Sequence, residues 1–182
     1  MLLFLLACLD PEKHDHDSEH EYEVITTVIL TITDSTGVEQ TITWTDPEND
    51  GAPVVDSIAL ISGETYALSV EFWNELENPA EELTQEILDE AEEHQVFFAG
   101  GALIEHTYDD ADGNGNPLGL ENSLQALMAG EGSLVVGLQH LPEEDGIAIK
   151  TVDLEAVWLS EGEAGLPGDW DALVEFPLRV SE

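Results

Sequence analysis

The chain predicts an all-β fold: an antiparallel sandwich of about nine strands with one inserted amphipathic helix. Three observations carry this expectation. Apolar and polar residues alternate with period two over much of the chain, turn-forming residues separate the alternating runs, and only one stretch has helical periodicity. Short alternating strands at this spacing are those of an Ig-like sandwich, and 42% hydrophobic content is that of a folded protein.

Taken in order, Val24 to Thr33 is rich in β-branched residues, and Gly37 suits a hairpin turn after it. Val38, Gln40, Ile42 and Trp44 then alternate with Glu39, Thr41, Thr43 and Thr45. Ile58 to Ile61 is a short strand. Tyr66, Leu68, Val70 and Phe72 alternate with Ala67, Ser69, Glu71 and Trp73. The helix is expected near 79–93, with Asn78 as N-cap, Pro79 at the first helical position and Glu81 completing a capping box. Leu83, Ile87, Leu88 and Ala91 fall on one face of it, against Glu82, Glu86, Asp89, Glu90 and Glu93. Strands follow at Val96 to Ala99, Leu103 to Tyr108, Leu134 to His140, Val152 to Trp158 and Ala172 to Val180.

Before these elements lie an apolar stub, 1–8, and an acidic His-bearing segment, 9–21; a single domain is expected over 22–182. Leu5-Leu6-Ala7-Cys8 resembles the lipobox of bacterial lipoproteins. That resemblance implies signal cleavage, acylation of Cys8 and a membrane anchor, for which more than one acyl chain is needed. One cysteine excludes an internal disulfide. No later stretch has the roughly 20 apolar residues of a membrane-spanning helix.

Forty-one acidic residues face three basic ones, Lys13, Lys150 and Arg179, for a net charge of -38. Such a surface repels phosphate, so nucleic-acid binding and adsorption to anionic headgroups are disfavoured. It favours cations or basic proteins, and it equally suits a protein adapted to a saline medium.

Asp110-Ala111-Asp112-Gly113-Asn114-Gly115-Asn116, with Glu121 beyond, has the spacing of a calcium loop. Asp110, Asp112 and Asn114 hold the first, third and fifth positions, Gly115 the sixth, and Glu121 the twelfth. A hard cation needs six to eight oxygens, with Asn116 supplying a backbone carbonyl. Pro117 and the lack of helical flanks separate this loop from an EF-hand proper, and a polar turn without an ion has the same composition. Asp46-Pro47-Glu48-Asn49-Asp50-Gly51 lacks a closing glutamate and is expected to be a plain loop.

Six histidines offer a second metal chemistry. His14, His16 and His20 alternate with carboxylates in a segment with no core to bury them, so zinc or copper capture is expected there. His106 shares a strand face with Ile104 and Tyr108, and His140 shares one with Leu134, Val136 and Leu138. His94 stands where a cation complements the helix C-terminus. Each has a structural reading alone; together they make a three-histidine site only if the fold brings them together. Glu93, Glu105 and Asp109 stand near enough in sequence to assist.

Nothing pairs a serine with a histidine in a recognisable context, and no G-x-S-x-G elbow occurs, so no enzyme is expected. Three stretches resemble a family of small acidic bacterial lipoproteins of uncharacterised role: Glu23 to Val28, Asn74 through His94, and Tyr108 to Pro117. The resemblance covers roughly 22–140. It implies an acidic β-sandwich encoded near TonB-dependent outer-membrane receptors. A type 1 periplasmic-binding label sometimes attached to that group requires alternating strands and helices, which this chain lacks.

The resulting expectation is a metal-binding lipoprotein of the outer membrane, on its periplasmic or cell-surface face, accessory to zinc or copper uptake and carrying a structural calcium loop. The competing expectation is a calcium-stabilised Ig-like structural or adhesive module with no transition-metal role.

Overall fold

The computed structural model describes residues 23–182, so Cys8, His14, His16 and His20 lie outside the described residues. Among the described residues, eleven strands form two sheets packed face to face. The larger sheet runs β3 (Val54–Val55), β2 (Glu39–Thr45), β1 (Thr27–Thr33), β5 (Thr65–Asn74), β9 (Glu121–Ala126), β8 (Ile104–Tyr108), with β6 (Glu81–Glu82) also pairing β5. The smaller runs β4 (Ile58–Ile61), β11 (Asp169–Ser181), β10 (Gly130–His140), β7 (His94–Ala99). The chain is thus an all-β sandwich. Within it β4 pairs β11 in parallel, unlike the antiparallel ladders around it.

Alternation decides which side chains face inward. Val28, Leu30 and Ile32 of β1, Leu68, Val70 and Phe72 of β5, and Val174, Phe176, Leu178 and Val180 of β11 are buried in one continuous core. A second, smaller cluster lies on the outer face of the small sheet. There Phe97, Leu141, Leu154 and Trp158 pack together, with Trp170 against them, under helix α2 (Leu154–Glu161). Gly137 makes this possible, since a Cβ there would stand 2.4 Å from the Trp170 ring.

The structure changes the reading at three places. The segment expected as a strand from Val152 to Trp158 forms α2 instead. Leu154 and Trp158 satisfy period two and an i, i+4 helical face equally well, and the outer face of Phe97 selects the helix. The expected helix over 79–93 shrinks to α1 (Thr84–Asp89). Asn78 does not cap it: the Asn78–Pro79 bond is cis, and Glu81 and Glu82 pair with Asn74 and Trp73 of β5. Thr84 Oγ1 accepts the Phe72 N–H at 2.9 Å, and Leu83 and Ile87 remain the buried face, whereas Leu88 is exposed. Finally, β9 forms where the sequence analysis places no strand. Its inward positions are Asn122, Leu124 and Ala126, and a buried asparagine with an alanine leaves little alternation to detect.

Candidate metal centre

Four side chains meet at one end of the sandwich. The first two follow from strand pairing. Register places His140, the last residue of β10, opposite His94, the first residue of β7. His94 has the inward parity of Val96 and Phe98, and His140 has that of Val136 and Leu138. Their rings therefore stack, with centroids 4.8 Å apart and planes 11° from parallel. His94 is a fully buried strand residue and not a helix terminus.

The third comes from a break in the ladder. Leu138 pairs Ala172 and Gln139 pairs Trp170, which leaves Asp171 as the extra residue of a β-bulge. Ala172 packs against the main core, and Trp170 lies in the outer cluster. The bulge sends the Asp171 carboxylate inward, with Oδ2 3.7 Å from His94 Nε2 and the side chain fully buried. Glu23, in the extended lead-in to β1, supplies the fourth group; its Oε2 also lies 3.7 Å from His94 Nε2, and its side chain is 10% exposed. Gly168 shapes the wall nearby: with φ +77 it passes so close to the His140 carbonyl that no side chain fits.

One ligand atom from each of Glu23, His94, His140 and Asp171 lies within 4.8 Å of every other. Among these, Glu23 Oε2, His94 Nε2 and both Asp171 oxygens are buried without a hydrogen-bond partner. Leaving a buried polar group unpaired costs about 1–3 kcal/mol. A proton on His94 Nε2 or a bound ion would give these four atoms a shared partner. His94 Nδ1 stands 3.3 Å from the Glu90 carbonyl, which can only accept, so in the neutral ring Nδ1 carries the proton and Nε2 turns its lone pair to the cluster. A histidine ligand held through its other nitrogen is the usual arrangement at metal sites.

The charges respond to this crowding. Burial pushes the Asp171 carboxyl up to about 7, and the neighbouring Glu23 charge adds to it. For His94 burial works against the imidazolium, yet Glu23 and Asp171 together raise its pKa. Burial also works to raise Glu23, and His94 outweighs it, holding the carboxyl low. His140 is lowered, by burial first and then by His94. Glu93 Oε2 lies 3.8 Å from His140 Nε2 at the exposed rim.

The donor set fits a borderline transition ion. Zinc binds imidazole and carboxylate at about 2.0–2.2 Å, which puts neighbouring tetrahedral donors roughly 3.4 Å apart. With the four atoms within 4.8 Å of one another, the most distant pair would have to close by up to about 1.4 Å. Two imidazoles suit calcium and magnesium poorly, since both prefer oxygen.

The other expected residues lie elsewhere. His106 does not join the cluster: its Nδ1 is 3.1 Å from Glu155 Oε1, its Nε2 is 2.9 Å from Asn122 Oδ1, and its ring stacks on Phe98. Glu105 is exposed on β8, and Asp109 accepts the Ser123 hydroxyl. The Asp/Asn loop is bonded internally. Asp110 accepts the backbone N–H groups of Gly119, Leu120 and Glu121. Asp112 Oδ1 accepts those of Asn114 and Asn116, and its Oδ2 lies 3.1 Å from the buried Lys150 ammonium. Lys150 Nζ also donates to the Ala91 carbonyl at 2.6 Å. Glu121 stands exposed at the start of β9, its carboxyl raised by partial desolvation and then by Asp110 and Asp109. Asp46 likewise accepts the N–H groups of Asp50 and Gly51 within its own loop.

Sequence reasoning missed Glu23 and Asp171. The one available signal was at Trp170 and Asp171, where the inward alternation of β11 changes parity. Compared with known protein families, with curated proteins and with solved structures, the chain matches none.

Proposed function

We propose that this protein is a membrane-anchored lipoprotein that captures a transition metal and holds it at Glu23, His94, His140 and Asp171. The observation that supports this reading is the convergence of two imidazoles and two carboxylates, with Glu23 Oε2, His94 Nε2 and both Asp171 oxygens buried without hydrogen-bond partners. Zinc is favoured over Cu(I), because the cluster has no thiolate or thioether to select it, while Cu(II) takes the same nitrogen and oxygen donors. The His-bearing segment supports capture: His20 precedes Glu23 by three positions, so ions collected along it arrive beside a ligand of the site. Cys8 in its lipobox-like context supports anchoring, and the resemblance to lipoproteins encoded near TonB-dependent receptors supports a role in outer-membrane metal uptake. No chemistry on a substrate is assigned.

Calorimetric titration with zinc and with copper tests the site. The parent should bind zinc, His94→Ala should lose that domain event, and a form with His14, His16 and His20 replaced by alanine should keep it. Equal zinc binding by the parent and the His94 variant overturns the site. For the anchor, Cys8→Ser should abolish incorporation of labelled fatty acid in cells.

A further inference from the structure

Away from the metal cluster, the sandwich is open between two edge strands. β7 ends one sheet and β8 ends the other, and α2 covers this side only in part. The gap is a cleft of about 820 Å³, within the range of small-molecule sites. Ile104, Leu127, Val135 and Leu159 line it with apolar surface, and Trp158 forms one wall. That wall is fixed, because the Trp158 indole N–H donates to the Phe98 carbonyl at 3.2 Å and its ring meets Trp170 edge-on at 5.4 Å.

Two features give the cleft a preference. At its rim Leu159 is 64% exposed and Leu127 45%, apolar surface that the body of a ligand would cover. Its ionisable lining is Glu105, Glu155 and His106, with no lysine or arginine. Lys150 is buried against Asp112, and Arg179 lies on β11 beside Glu131 of β10 and Ala59 of β4. Two carboxylates against a single imidazole make the ionisable lining predominantly acidic. An anionic ligand is repelled there, and a cation is favoured.

We propose that this cleft binds an organic cation with an apolar body, an aliphatic or aromatic amine. Phe98, whose carbonyl fixes the Trp158 wall, lies four residues along β7 from His94, roughly 13 Å away, so this site is separate from the metal centre. The amine lies along the apolar wall with its ammonium toward Glu105 and Glu155.

Phenethylamine, phenylethanol and phenylacetate share one apolar body and differ in charge, and ligand-observed NMR on the full-length chain ranks them. Phenethylamine should bind at least tenfold tighter than phenylethanol, with phenylacetate not detected. Glu105→Gln combined with Glu155→Gln should bring the amine down to the alcohol and leave the alcohol unchanged, which also shows that the cleft remains folded. Glu105→Gln alone, on the exposed face of β8, should cause a partial loss without disturbing His106. Equal affinity for amine and alcohol, absence of binding by all three, or an amine preference that survives the double substitution would each overturn the proposal.

Discussion

Two regions of this molecule gather carboxylates, and they use them in opposite ways. In the Asp110 to Glu121 loop, Asp110 takes three backbone N–H groups, and Asp112 takes two more and a buried ammonium. At the sandwich end, Glu23 Oε2 and Asp171 Oδ2 are buried 3.7 Å from His94 Nε2, with no hydrogen bond of ordinary length. The loop has the better cation-binding spacing in sequence, and the cluster has the better site in space. What separates them is whether the lone pairs are already used. A carboxylate that caps its own turn contributes to the fold, and one held without a donor is available to a ligand.

The contrast is most strongly tested by breaking the loop. Asp112→Ala leaves Lys150 buried without its counter-ion and should cost about 3–5 kcal/mol in denaturant unfolding. A loss below about 1 kcal/mol means that the pair does not hold the loop. Metal dependence should run the other way. Zinc at about 100 times its Kd should stabilise the parent by roughly 2.7 kcal/mol, while calcium leaves its melting temperature unchanged. A calcium shift abolished by Asp110→Ala would return the loop to the set of ion sites. Asp171→Asn sharpens the comparison further. With chelator present, it should leave stability within about 1 kcal/mol of the parent, because burial already pushes the Asp171 carboxyl up to about 7 and the amide removes a charge held against Glu23 as well as one facing His94, in contrast to the loss at Asp112.

The smallest effect is in acid. Backbone N–H groups of Asn116 and Asn114, with Lys150, outweigh burial and hold Asp112 below its ordinary 3.8. Burial in turn pulls Lys150 down despite Asp112; the short contacts to Asp112 and Ala91 are those of an ammonium, and the ion pair is the state they describe. A carboxyl depressed on folding stabilises the fold fully above the unfolded value and loses that contribution as pH falls through the folded one. The parent should therefore lose stability more steeply than Asp112→Asn below about pH 4, in acid unfolding followed by circular dichroism.

Much of the sandwich was legible because alternation records a strand's buried face, as in β1, β2, β5 and β11. It failed where burial and polarity diverge, at Asn122 in β9, and where two periods coincide, at Leu154 and Trp158 in α2. The candidate site was legible by residue type alone. His94 and His140 stand 46 positions apart, and only the β7–β10 register makes them neighbours. Glu23 and Asp171 needed more, since their approach depends on the course of the lead-in and on a bulge. A bulge is a property of two paired strands, and neither strand's sequence states it alone.

Glu23 stands at the start of the described chain and Asp171 near its end. An ion shared between them is a cross-link that a chain with one cysteine cannot make from disulfide. The unfolded chain competes poorly for that ion, since joining the same two residues there means closing a loop of roughly 150 residues, at an entropic cost of about 5 kcal/mol. Withdrawal of such an ion would release the lead-in ahead of β1 first, so the order of the first described residues would follow the metal supply.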